Sequence, residues 1–132
     1  METLKELKNK YKELQKETDN LYKKIRTLER EEASSKFTVG DCYLDTKWNN
    51  LLKIVSIKDG YIHCIVLDEN SINRDSFYVF EIKFWEKITS KQFKNGYLAI
   101  LKDISDPDFK GGAKTNWNIT YNSIVNSINK EE

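Results

Sequence analysis

Apolar residues at the start of the chain recur at alternating steps of three and four: Leu4, Leu7, Tyr11, Leu14, Thr18, Leu21, Ile25 and Leu28. This is a heptad repeat, with Leu7, Leu14, Leu21 and Leu28 at d and Leu4, Tyr11, Thr18 and Ile25 at a. Lys, Glu, Leu and Gln fill most other positions, and neither Gly nor Pro intervenes, so residues 2–32 predict a helix of roughly 45 Å at 1.5 Å per residue. One helix cannot bury such a stripe against itself. The eight stripe residues are therefore assigned to oligomerisation, as a homodimeric coiled coil. Packing on the chain's own β unit or C-terminal helix, and docking on a foreign protein, are the alternatives. Thr18 is the polar break in the seam. In a parallel pair the flanks would match Lys10 with Gln15, Glu17 with Tyr22 and Lys24 with Glu29, of which only the last is an ion pair.

Past Glu32 the period changes, and Ser34-Ser35 marks a short linker. Phe37-Thr-Val39 leads through a Gly40-Asp41 turn to a strand at Cys42–Thr46. Leu51–Ile57 and Tyr61–Leu67 flank Lys58-Asp59-Gly60, where Asp-Gly suits a tight hairpin turn. After polar Asp68–Asp75, the run Ser76–Trp85 reads as one strand, with Tyr78, Phe80, Ile82 and Phe84 on one face. Four or five short strands predict a small curved sheet or barrel. Thr89 and Gln92 then form a capping box ahead of Phe93, Tyr97, Ile100, Leu101 and Ile104 at helical spacing, although Gly96 costs that helix about 1 kcal/mol. Asp106-Pro107 and Gly111-Gly112 break the chain. The tail places Trp117, Tyr121, Ile124, Val125 and Ile128 on one helical face, with a strand at Trp117–Tyr121 as the alternative. The fold class is α+β, divided into a coiled-coil helix (1–33), a small antiparallel SH3-like β-barrel or curved sheet (34–88) and a C-terminal helical segment packed on it (89–132).

Composition narrows the function. The chain has 132 residues, 33% of them charged, with 22 basic against 21 acidic side chains. The pI is near 7.7 and the mean hydropathy −0.69, yet 12% aromatics and a single proline argue against a disordered chain. Basic and acidic residues balance in both halves: nine against eight over residues 2–32, and ten against ten from Lys36 to Asp106. Without a basic stripe the phosphate attraction that dominates nucleic-acid affinity is missing, so nucleic acid is not an expected partner. No apolar run approaches the roughly 18 residues of a membrane helix, and the N-terminus has no signal-like apolar region. Two cysteines make no disulfide framework and suit a reducing cytoplasm.

The chemistry-bearing residues point away from catalysis. Cys42, Cys64 and His63 lack metal-ligand spacing, and Cys64 shares an apolar strand face with Ile62 and Val66. His63 and Cys64 are neighbours on a strand, so they point to opposite faces and make no dyad. Asp68 with Glu81-x-Lys83 has a nuclease-like order, but a cross-strand ion pair explains the latter two. Lys110-Gly-Gly-Ala-Lys-Thr115 misses the phosphate-loop spacing, with Asp108 and Ala113 where glycines are required. Asp103, Asp106 and Asp108 suit a helix end rather than a calcium loop. No cofactor, metal or catalytic residue is expected.

Phe37-Thr-Val-Gly-Asp-Cys-Tyr43 followed by Leu52-Lys-Ile-Val-Ser-Ile-Lys-Asp-Gly-Tyr-Ile-His-Cys-Ile-Val-Leu-Asp68 resembles the opening of an SH3-like or Tudor-like barrel. It lacks an evident aromatic cage, so methyl-lysine reading is not implied. The wider order of heptad helix, β unit and closing helix, with its Asn, Lys and Ile bias, resembles small bacteriophage accessory proteins. That resemblance implies a non-enzymatic inhibitor of a host antiviral defence protein, anti-CRISPR-like or otherwise, acting in the cytoplasm of an infected bacterium. Candidate partner-binding residues are Trp48, Tyr61, Arg74, Tyr78 and Trp85. A second expectation is a sponge for a cyclic-nucleotide signal at an oligomer pocket, with Trp117 and Tyr121 stacking a base and Arg74, Lys110 and Lys114 meeting phosphate. A third is a structural or assembly protein of a phage particle.

Overall fold

The computed structural model describes residues 2–69, 71–109 and 115–129. Helix α1 spans Leu4–Ser34, and the Thr3 hydroxyl caps it by accepting the Glu6 N–H at 3.2 Å. Five strands follow: β1 (Cys42–Asp45), β2 (Asn50–Lys58), β3 (Tyr61–Leu67), β4 (Ile72–Tyr78) and β5 (Trp85–Ile88). They form one antiparallel open sheet in the order β4-β3-β2-β1-β5. Helices α2 (Ser90–Ile104) and α3 (Asn116–Asn129) close the chain, so the tail is helical.

Two local signals act as the sequence predicts. Asp59 and Gly60 both take positive φ, 53° and 81°, which is what a two-residue hairpin turn between right-twisted strands requires. At the start of α2, the Thr89 hydroxyl accepts the Gln92 N–H while the Gln92 amide oxygen accepts the Thr89 N–H, completing the capping box.

Both faces of the central strands are buried, while edge strand β4 is exposed over most of its length. On one, Leu44, Leu51, Leu67 and Ile88 pack against Phe93 and Ile100 of α2 and Trp117, Tyr121 and Ile124 of α3. Gly96 lets α2 approach the sheet closely: a Cβ there would lie 2.5 Å from the Leu51 Cδ1. Its cost in helix propensity is thus offset by packing. On the other face, Tyr43, Leu52, Ile54, Ile62, Cys64 and Val66 form a second core. A bulge in β2 between Ile54 and Ser56 keeps Ile57 opposite Ile62 and on this same face. The sheet curls over its second core until Phe77 of edge strand β4 meets Trp85 of edge strand β5, with ring centroids 5.1 Å apart.

The run Ser76–Trp85 is not one strand. The Val79 N–H donates to the Gly60 carbonyl at 2.8 Å, and the chain leaves the sheet in a 3-10 turn at Val79–Glu81 before β5 begins. Val79 is buried, while Phe80 and Phe84 are exposed and Ile82 partly buried. A single strand face shared by Tyr78, Phe80, Ile82 and Phe84 therefore does not exist. Glu81 and Lys83 fall outside the strands, and no ion pair joins them among the described residues.

The ends of α2 and α3 are tied by Asp103. This buried carboxylate accepts the Asn116 N–H at 2.9 Å, the Asn116 amide at 2.8 Å and the Trp117 N–H at 2.9 Å. The Thr115 hydroxyl accepts the Asn118 N–H at 3.1 Å. Burial pushes the Asp103 pKa up, but the hydrogen bonds outweigh it and hold the carboxyl below its ordinary value of 3.8. Because folding lowers this pKa, the stabilisation is complete above the ordinary value and is lost as pH falls through the folded one. Asp103→Asn should cost roughly 2 kcal/mol at pH 7, measured by urea denaturation. Its deficit relative to wild type should close on acidification below 3.8. Equal stability of the two proteins at pH 7 would contradict the assignment.

Candidate functional site

Helix α1 has no buried residue along its 31 positions. The stripe is uncovered from Leu4, 68% exposed, to Ile25 and Leu28, at 46% and 55%. The chain's own β unit and C-terminal helices do not cover it, which removes self-packing as its explanation. Thr18 is less of a break than its polarity implies: its hydroxyl donates to the Leu14 carbonyl at 2.9 Å, leaving the methyl group for a seam.

The β unit does touch α1, on its other side. The Arg26 guanidinium donates to the Tyr78 hydroxyl at 3.3 Å and lies 5.3 Å from the centre of the Phe80 ring. The Arg30 stem runs against Gly60, where an added Cβ would sit 2.8 Å from the Arg30 Cδ. Ala33 packs on the second core beside Phe37. In the register of the seam, Arg26 and Ala33 occupy b and Arg30 occupies f, the back of a coiled-coil helix. The a and d positions therefore face away from the β unit. The heptad pattern contained this division; nothing local marked Arg26 and Arg30 as the docking pair.

Of the five predicted partner-binding residues, Trp48 and Trp85 line one cleft, Tyr61 and Tyr78 pack on each other elsewhere, and Arg74 stands apart. Trp48, 68% exposed, sits in the β1–β2 turn, with the Lys47 ammonium 5.6 Å from its ring centre and 6.0 Å from that of Phe84. Trp48, Lys47, Phe80 and Phe84 line a cleft of about 370 Å³. Sequence reading placed Phe80 and Phe84 on a strand face and so missed them as neighbours of Trp48. Tyr61 lies at the opposite end of the sheet, 5.2 Å from Tyr78 between ring centres, and Tyr78 is engaged by Arg26. Arg74 is exposed in the middle of β4, opposite Ile65. Trp85 is partly buried: it packs against the second core, between Phe37, Tyr43 and Phe77 at 6.0, 5.4 and 5.1 Å, and also lines the cleft beside Trp48.

The predicted nucleotide-binding set is also corrected. Trp117 and Tyr121 are 1% and 7% exposed, stacked on each other in the first core, so neither offers a free face to a base. The Tyr121 hydroxyl donates to the Asn49 side chain at 3.0 Å. The surface beside them carries Asp68 and Glu69, which repel phosphate. Lys110 and Lys114 lie outside the described residues.

The His63 Nδ1 lies 2.6 Å from the Ser76 Oγ, a cross-strand pair on β3 and β4. No carboxylate is bonded to that ring among the described residues. No group of three or more His, Cys, Asp or Glu side chains is placed to hold a metal among them either. No described helix is long and apolar enough to cross a membrane. Burial, then the Asp75 charge, push the Cys64 thiol up to about 12. Burial likewise raises Cys42, against smaller lowering effects of Ser90 and Lys53. No protein-family model, curated protein or solved structure matches the chain.

Both thiols should therefore be inert toward a disulfide reagent at pH 8 in the folded protein and react together only in guanidinium. A fast-reacting native thiol would overturn the core placement of Cys42 or Cys64.

Proposed function

We propose that the chain is a non-enzymatic, self-associating protein-binding module. The observation that carries this reading is the α1 seam, bare over its whole length and turned away from the β unit. Full burial of one leucine or isoleucine is worth about 1.5–3 kcal/mol, so a second seam would gain substantially from covering Leu4, Leu7, Leu14, Leu21, Ile25 and Leu28. We further propose that the β unit is SH3-like in plan, a reading supported by the return of β5 beside β1 and the meeting of Phe77 with Trp85. Its partner-facing surface is the aromatic patch of Trp48, Phe80 and Phe84, an exposed apolar cluster next to charged Lys47. The setting proposed for this activity is antagonism of a bacterial antiviral protein by a phage-like accessory protein, in line with the resemblance of the sequence. Two copies on one stem would bind an oligomeric target more tightly than one.

Replacing Leu14 and Leu21 together with Ala should weaken association by roughly a thousandfold or more, because each buried leucine lost from a core costs about 2–5 kcal/mol. Sedimentation should then show monomers where the parent chain dimerises. The near-ultraviolet circular dichroism of the β unit should be unchanged, since neither leucine touches it. An unaltered mass would refute the seam. For the β unit, Trp48→Ala with Phe84→Ala should abolish recovery of a host protein captured from bacterial lysate by the parent chain. Equal recovery by both would place the partner elsewhere.

A further inference from the structure

The α1 seam admits a second copy in two orientations, and the charges beside it distinguish them. This argument rests on the self-association proposed above. In a parallel, in-register pair, each a or d residue meets its own counterpart. The flanks then join Lys10 with the partner's Gln15, Glu17 with the partner's Tyr22 and Lys24 with the partner's Glu29. One of these is an attraction, made twice by symmetry, and none is a repulsion. Glu29 also lies 3.5 Å from Arg26 of its own helix, an exposed contact that leaves the carboxylate open to a second cation.

Antiparallel pairing with full overlap sets Leu4 against the partner's Leu28, Leu7 against the partner's Ile25, Tyr11 against the partner's Leu21 and Leu14 against the partner's Thr18. The g positions then meet one another. Glu17 faces the partner's Glu17, and Lys10 faces the partner's Lys24 on both sides of the axis. Lys10 already contacts Glu2 just ahead of its own helix, which softens one of these like-charge pairs but leaves the Glu17 pair at the centre. The opposite flank offers no compensation: Lys8 faces the partner's Tyr22, and Gln15 faces its own copy. Thr18 adds to the difference. Parallel pairing sets the seam's one polar a residue against itself, whereas the reverse sets it against Leu14.

The β unit permits the parallel arrangement. It holds α1 by b and f positions, while Ile25 and Leu28 beside it stay exposed, so a second helix can run past without meeting it. We infer that α1 takes a second copy of itself parallel and in register, gathering both β units at one end of a common stem. The two Trp48–Phe84 patches would then lie around the same end of that stem rather than about 45 Å apart at opposite ends. Such a molecule fits a partner with two equivalent sites close together.

Cysteine cross-linking tests the orientation, because Cys42 and Cys64 are buried and give little background. Leu7→Cys and Ile25→Cys are prepared as separate full-length variants carrying tags of different size. Parallel pairing predicts that each alone forms a disulfide-linked dimer in oxidised glutathione, and that a mixture yields few tag-heterologous products. If Leu7→Cys stays monomeric on a non-reducing gel while the mixture gives the Leu7→Cys/Ile25→Cys product, the orientation is wrong although the dimer stands. In that arrangement the two copies of position 7 are about 27 Å apart. Sedimentation of the unmodified chain separates the remaining case: a monomer at every concentration would overturn self-association and, with it, the orientation.

Discussion

A sheet that is apolar on both faces has to be covered twice, and the rest of this molecule is arranged by how that is done. Helices α2 and α3 cover one face through Phe93, Ile100, Trp117 and Ile124. The second face receives no helix of its own. It is closed by curvature, which brings Phe77 and Trp85 together from the two edges, and by the short pieces that hold Phe37, Val79 and Ile82. These elements leave the sheet with no apolar face for α1 to cover. The long helix meets the β unit through arginine and alanine on its back, and its own apolar stripe is left exposed.

That division also separates two kinds of residue that look alike in a sequence. Trp85, Trp117 and Trp48 are all tryptophans near turns or element ends, yet Trp117 is fully buried in the first core, Trp85 is partly buried against the second, and Trp48 projects into solvent. The distinction depends on which side of a curved sheet a side chain falls, and on what arrives later in the chain to cover it. The same placement decides the polar groups: the thiols are interior packing groups, and His63 finds its partner on the neighbouring strand.

What was legible in the sequence is what local physics decides. The heptad spacing of α1, the Asp59-Gly60 turn and the Thr89–Gln92 box each depend on a few neighbouring residues, and each appears where it was read. The tail's apolar face also prevailed over its asparagines, because Trp117, Tyr121 and Ile124 have a sheet to pack on. What failed is decided at a distance. The continuous strand through Ser76–Trp85 ends after Val79 bonds the Gly60 carbonyl, because the chain turns there in the 3-10 turn Val79–Glu81, which alternation cannot reveal. The proposed base-stacking pair, Trp117 and Tyr121, is taken up by the core, and the cluster of Trp48 with Phe80 and Phe84 exists only because the chain turns after Tyr78.

The contact between α1 and the β unit has a geometrical side. Arg26, Arg30 and Ala33 grip three different parts of the β unit, the aromatic pair Tyr78 and Phe80, the Gly60 turn and the second core, within the last turns of the helix. Three contacts over so short a length fix the direction in which the helix leaves the β unit. Leu4 thereby lies roughly 33 Å beyond Arg26 along the helix at 1.5 Å per residue, and its direction from the β unit is set at this joint.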